Sequence, residues 1–284
     1  MGEDAQHTAA NSGSNDEVAA RVARLDLSFN EHGFDRFGVS RDSIAAGMRV
    51  MGWLYRNYFR VRCHGVEHIP PRGRVILVGN HSGGYAIDGG MVIAACFFEL
   101  DPPRLAHGMA DRFINRLPFL SQLANRTGQI TGLPQHARQL LSDDRVLLVF
   151  PEGARGTSKL FWNRYTLGPF GTGFLRLAKS TGAPIVPFAY LGGGEAVPTI
   201  ANLPFLGKLL GVPYIPVTPY VLPLPLPVTS ELRFGPQMRF AGTGDESQHL
   251  IQREVDEVKD VIAGLIAEGR ESRRRGVAAL PGGR

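Results

Sequence analysis

Two stretches of the chain carry residue types that can do chemistry. The first is Gly79-Asn-His-Ser-Gly-Gly-Tyr-Ala-Ile-Asp88, directly after the apolar run Val75-Ile-Leu-Val78. A histidine there can act as a general base near neutral pH. A carboxylate bonded to one ring nitrogen fixes the tautomer and leaves the other nitrogen free to take a proton. Asp88 can be that carboxylate, because the intervening glycines let the loop fold back toward His81. The second stretch is Phe150-Pro-Glu-Gly-Ala-Arg-Gly-Thr157, after Val146 to Val149. It brings together a carboxylate, backbone amides freed by glycine, and a guanidinium whose fork of donors suits phosphate or carboxylate. Read without chemistry, His81 is a buried turn residue, Asp88 a helix N-cap, and Glu152 with Arg155 a solvated ion pair.

The elements that must position these residues follow from the hydrophobic pattern. Val75 to Val78, Val146 to Phe150 and Ile185 to Tyr190 read as buried strands, with a weaker strand at Leu105 to Met109. Met91 to Phe98, Arg112 to Asn125, Leu133 to Leu141 and Gly173 to Ser180 read as helices, the last stopped by Gly182. This alternation predicts one α/β domain with a mixed, mostly parallel central sheet and helices on both faces. Sites in such sheets form at the carboxyl ends of strands, where both stretches fall.

Residues 1–25 read as a flexible polar tail and residues 26–62 as an N-terminal amphipathic helical segment. In the latter, Met48, Met51, Leu54, Tyr55, Tyr58 and Phe59 recur at helical spacing, with Arg49, Arg56 and Arg60 largely to one side. That composition suits a helix lying in a lipid interface, or one packed on the domain with its arginines exposed. Leu203 to Leu226 is apolar and dense in proline, with Lys208 its only charge, so it must bury against the core or against something greasy. Glu231 to Phe240 reads as an edge strand. From Glu246 an amphipathic helix carries Ile251, Val255, Val258, Ile262 and Leu265 in one stripe, capped by Asp245 or Thr243. A basic tail is expected over residues 271–284, after a main domain spanning 63–270.

The 284 residues carry a net charge of +5. That admits nucleic acid, anionic lipid or a phosphorylated substrate. Nucleic acid fits poorly, because the arginines are scattered and not interleaved with aromatics. Only Cys63 and Cys96 are present, which excludes a disulfide scaffold and suits a reducing, intracellular setting. Met1 to Asp16 lacks the pattern of a signal peptide, and Val75 to Phe98 contains His81, Asp88 and glycines that a membrane span would rarely carry. The chain is expected to be soluble or to lie on a membrane without crossing it.

Taken in order, these segments resemble the glycerolipid, or lysophospholipid, acyltransferase family. Asn80-His81 with Asp88 is similar to that family's first motif, and Phe150-Pro-Glu-Gly-Ala-Arg155 matches its FPEGxR motif. Gly65-Val-Glu-His-Ile-Pro70 resembles the lead-in to the first strand, Gly128-Gln-Ile130 falls where the second motif belongs, and Ala183-Pro-Ile-Val-Pro187 resembles the fourth. The resemblance runs from about Phe59 to Tyr190. It implies an O-acyltransferase domain in which His81 is the general base oriented by Asp88, with no metal or cofactor and with acyl-CoA or acyl carrier protein as donor. Glu152, Gly153, Arg155, Ser82 and Gly83 are the implied substrate-binding residues. A lipid hydroxyl on the cytoplasmic face of a membrane is the implied acceptor, met by a peripheral or monotopic protein.

Two departures stand out. The family usually places four residues between the histidine and the aspartate, whereas six intervene here, so Ser82-Gly83-Gly84 is expected to bulge and keep the pair in contact. The second motif usually carries an arginine that grips a glycerol phosphate, but no arginine follows Ile130 until Arg138. A neutral acceptor such as diacylglycerol or a long-chain alcohol is therefore an alternative. A lipid esterase and a non-catalytic lipid-binding protein are the remaining readings. Ser82 does not sit in a nucleophile elbow, since Asn80 rather than glycine lies two residues before it. Cys63, His64 and His68 lack an evident fourth metal ligand.

Overall fold

The computed structural model describes residues 16–83, 87–110, 126–131, 133–209, 211–220 and 224–278. The apolar runs form the middle of a mixed sheet. In chain order its strands are β1 (Arg62–His64), β2 (Val75–Gly79), β3 (Ala106–Ala110), β4 (Ile130–Thr131), β5 (Val146–Val149) and β6 (Ile185–Leu191). After them, β7 (Ala201–Leu203) and β8 (Ile215–Val217) make a separate antiparallel hairpin, and β9 (Glu231–Phe234) returns to the main sheet. The spatial order is β1-β9-β6-β2-β5-β3-β4. Strands β6, β2, β5, β3 and β4 run parallel, while β9 joins β6 antiparallel and carries β1 beside it.

Strand periodicity decides which helix covers which face. Val75, Leu77, Val146 and Leu148 pack with α2 (Arg41–Trp53) and α3 (Ile87–Phe98). Ile76, Val78 and Leu147 pack on the opposite face with α4 (Pro134–Ser142), α6 (Gly173–Thr181) and α9 (Gln248–Ala278). Neighbouring strands β2 and β5 therefore send their chains to opposite faces, through α3 and α6, and both reactive loops leave from their adjacent carboxyl ends. The short α5 (Ala154–Thr157), α7 (Gly193–Ala196) and α8 (Pro204–Leu209) lie between the larger elements in the chain. Gly182 caps α6 in the left-handed conformation, as its position implied.

Several expectations are corrected. Residues 16–25 are not a flexible tail: residues 16–23 form helix α1, and Val18, Val22 and Leu25 are buried in the core. The stripe of α2 faces the protein, since Ile44, Met48, Tyr55 and Phe59 are all buried, and one π-helical turn, Leu54–Tyr58, extends it. Its arginines lie outward, and Arg56 pairs with Glu17 of α1 at 2.7 Å. The strand from Glu231 ends at Phe234 and is interior, because three residues at Arg62–His64, too few to show a pattern, pair along its outer side. Residues 271–278, expected as a tail, are the last turns of α9. Ser247 supplies the hydroxyl at its start, accepting from the amide of Leu250, and Ile266 rather than Leu265 continues its buried stripe. The helix expected over Arg112 to Asn125 lies outside the described residues, as does Gly84.

Burial makes two consequences measurable. Ile44→Ala and Met48→Ala should each lower the unfolding free energy by about 2–5 kcal/mol in urea titrations. A loss under about 0.5 kcal/mol, typical of surface sites, would mean that the stripe is not core. His107 on β3 is fully buried, and burial first, with the Arg145 charge second, pushes its ring from 6.5 down to about 4. The unfolded chain takes up that proton where the folded chain does not. Stability from this group is thus complete above pH 6.5 and lost as pH falls through about 4. His107→Gln should flatten that acid limb of the urea midpoint against pH, and an unchanged limb would contradict the assignment.

Candidate active site

The loop after β2 and the first turn of α3 meet through one carboxylate. Asp88 is fully buried. Its Oδ2 accepts from His81 Nδ1 at 2.8 Å and from the backbone amide of Ser82 at 2.8 Å, and its Oδ1 accepts from the amide of Gly89 at 2.8 Å. The six-residue gap therefore keeps His81 and Asp88 in contact. Gly83 makes the necessary turn at a φ of 79°, in the left-handed region, packed against the backbone of Gly193 so closely that a side chain would not fit. Asn80, one residue before His81, continues the β2–β6 ladder with its side chain: its amide donates to Tyr190 O at 3.0 Å and its carbonyl accepts from Tyr190 N at 2.8 Å.

The loop after β5 holds the same histidine from the other side. Glu152 is 3% exposed, and its carboxylate accepts from the His81 backbone amide at 3.2 Å and from the Gly168 amide at 2.8 Å. Lys159 Nζ lies 2.7 Å from it and also donates to His81 O at 3.3 Å. The buried charge is thus paired and hydrogen-bonded, which a buried carboxylate requires. Phe150 stacks on the imidazole with ring centroids 4.1 Å apart and planes 17° apart, and Phe188 closes edge-on behind it at 5.8 Å. Gly156 lies where a Cβ would sit 2.5 Å from His81 Cβ, so the α5 turn reaches the histidine only because that residue has no side chain.

The predicted residues consequently divide. His81 and Asp88 form a dyad, and His81 Nε2 has no hydrogen bond to any described residue. Glu152, Ser82 and Gly83 lie buried beneath it and support it through the contacts given above. Glu152 does not form the solvated pair with Arg155. Gly153 is exposed at a φ of 58°, but its own amide donates to Phe150 O at 3.0 Å. Arg155 is exposed on α5, and its guanidinium has no hydrogen bond or ion pair to a described residue. Gly192-Gly193-Gly194 turns the chain into α7 and braces Ser82. Lys159 and Gly168 escaped the sequence reading; an isolated lysine after FPEGxR carries no pattern, and the only usable signal was that a buried Glu152 needs a cation.

The match to known proteins agrees with this geometry. The family model described as Acyltransferase matches residues 60–191, which span both loops. An uncharacterized protein of Mycobacterium tuberculosis is 32% identical over 248 residues, covering 84% of this chain and 68% of the relative. A second, from Mycobacterium leprae, is 31% identical over 273 residues, covering 92% and 72%. The chain belongs to the acyltransferase family. It is an enzyme of that class, as the motifs implied. Its fold is similar to that of the 1-acyl-sn-glycerophosphate (LPA) acyltransferase PlsC from Thermotoga maritima, with a TM-score of 0.54 and 17% identity over 81% of this chain and 79% of that one. The mixed, mostly parallel sheet with helices on both faces is the fold the two share.

The close approach of α5 yields a direct test. Gly156→Ala should displace the imidazole by a fraction of an ångström and lower acyl-transfer turnover about 100-fold at temperatures where the variant keeps the parent's circular dichroism spectrum, the overpacking costing about 1–3 kcal/mol of stability. Unaltered turnover would show that the contact does not position His81.

Proposed function

We propose that this acyltransferase moves a fatty acyl group from an acyl thioester, on coenzyme A or acyl carrier protein, to a lipid hydroxyl at a membrane surface. The His81–Asp88 contact at 2.8 Å, with Nε2 unbonded to any described residue beside the α5 turn, carries this reading. Asp88 holds the proton on Nδ1, so Nε2 is the basic nitrogen. Nε2 removes the proton from the acceptor hydroxyl as its oxygen attacks the thioester carbonyl. The amides that follow Gly153 at the start of α5 face the developing oxyanion. Collapse of the tetrahedral intermediate breaks the C–S bond, and the imidazolium returns its proton to the departing thiolate. Asp88 stabilises the imidazolium in between. No covalent enzyme intermediate and no metal enter these steps.

Arg155 supplies an exposed cation, unpaired among the described residues, for a phosphate of donor or acceptor. A lysophospholipid or other glycerolipid is the acceptor on this reading. The arginine-free stretch from Ile130 to Gln135 favours a second one, in which Arg155 binds the donor and the acceptor is neutral, such as diacylglycerol or a long-chain alcohol. The protein meets its membrane peripherally, on the cytoplasmic side, where acyl thioesters are made. None of the helices among the described residues is long and apolar enough to cross a bilayer.

A labelled acyl thioester offered to lysophosphatidic acid, other lysophospholipids, diacylglycerol and a long-chain alcohol reads the acceptor directly. His81→Ala should lower transfer to the preferred acceptor by about 10³-fold or more while the circular dichroism spectrum stays that of the parent. Full activity in that variant refutes the mechanism. Fatty acid released without acceptor would instead mark an esterase.

A further inference from the structure

We infer that the described segments 200–209 and 224–226 enter the membrane, seating Phe205, Leu209 and Leu224 in an anionic phospholipid bilayer. This rests on the membrane reading above and says which surface performs it. These three side chains are 83%, 75% and 64% exposed. Single exposed apolar residues are ordinary, whereas a joined set of large ones marks an interaction surface.

Hydrogen bonds tie the segments that carry these side chains to the neighbouring elements. β7 and β8 form a hairpin whose connection carries α8, with Phe205 and Leu209 on it. The amide of Phe161 donates to Thr199 O at 2.8 Å, which brings the neighbouring Trp162, 61% exposed, to the base of the hairpin. On the far side Tyr58 Oη donates to Pro225 O at 2.6 Å, and the ring of Trp53, 56% exposed, lies 5.9 Å from that of Tyr58. Arg60 ties down the same strand of chain by donating to Pro227 O at 3.0 Å. The helix expected to lie in the interface thus contributes only its outward edge, because its stripe is in the core.

Charge identifies the occupant as lipid. Between Glu195 and Glu231 the sequence has no acidic side chain, and its one charge is Lys208. That lysine is exposed on α8 between Phe205 and Leu209, where its stem can lie along the acyl boundary and its ammonium reach a lipid phosphate. Tryptophan at the margin suits the headgroup layer. A protein partner's rim is polar, and charge pairing there needs both signs. The surface is also hung on the active site: Asn202 Nδ2 donates to Ser158 O at 2.7 Å, and Ser158 Oγ donates to Arg155 O at 3.0 Å. A lipid headgroup at this surface would therefore lie beside Arg155 and the α5 turn.

Cosedimentation of the full chain with vesicles of phosphatidylethanolamine and phosphatidylglycerol tests the assignment. The double variant Phe205→Glu, Leu209→Glu should partition about 100-fold less than the parent with an unchanged melting temperature. Leu250→Glu changes an exposed leucine near the start of α9, about 34 Å along that helix from Arg273, whose guanidinium lies 3.9 Å from Glu195 of α7, and should bind as the parent does. Binding of the double variant within twofold of the parent overturns the inference and leaves the membrane reading standing. A parent that transfers acyl groups to soluble lipid yet never sediments with vesicles overturns both. A parent dimer, seen by light scattering and split by the double variant, would make a second copy of the chain the occupant and likewise overturns it.

Discussion

A carboxylate with no exposure to water has to find its hydrogen bonds inside the protein, and Asp88 finds three within a few residues of itself. That requirement shapes the whole first loop. The chain must leave β2, turn at Gly83, and come back so that His81 and the Ser82 amide both face the first turn of α3. A second buried carboxylate, Glu152, imposes the same condition on the loop after β5 and meets it with the backbone of His81, the amide of Gly168 and the ammonium of Lys159. The imidazole is thereby held by its ring from one strand end and by its backbone from the next. Phe150 and Phe188 fill the remaining side, so little rotamer freedom is left to the base.

The sheet exists, from this point of view, to set β2 and β5 side by side with their chains departing to opposite faces. The alternation of Val75, Ile76, Leu77 and Val78 between two apolar layers fixes the register, since a slip of one residue would exchange the layers. The arrangement also separates two kinds of surface. On the side of the dyad are Arg155 and the apolar hairpin of β7 and β8, while the larger helices bury their apolar faces in the core.

The sheet's centre, the helices on both faces and the two reactive loops were legible in the sequence, because long β-branched runs and glycine-rich motifs leave strong local signals. What was not legible has physical reasons. Arg62–His64 pairs as a strand without any alternation of its own, since its partner β9 supplies the ladder. The stripe of α2 looks the same whether it faces lipid or protein; only the position of β2 and α3 decides that Ile44 and Met48 are core. Residues 16–25 follow a polar stretch and carry only three large apolar side chains, yet Val18, Val22 and Leu25 at helical spacing suffice to dock them. Within the site, the motif reading found Glu152 without a partner, and the plain reading of the turn paired it with Arg155. Its partner is Lys159, which the chain brings back after the α5 turn, not Arg155 three residues away.

The state of the His81 ring is the most direct test of this account. Long-range proton–nitrogen correlation spectra of the nitrogen-labelled protein near neutral pH distinguish the two tautomers of a neutral imidazole. The account predicts a proton on Nδ1 and a bare Nε2, with that preference lost in Asp88→Asn. An Nε2-protonated ring in the parent protein would leave no base facing the acceptor and would contradict it.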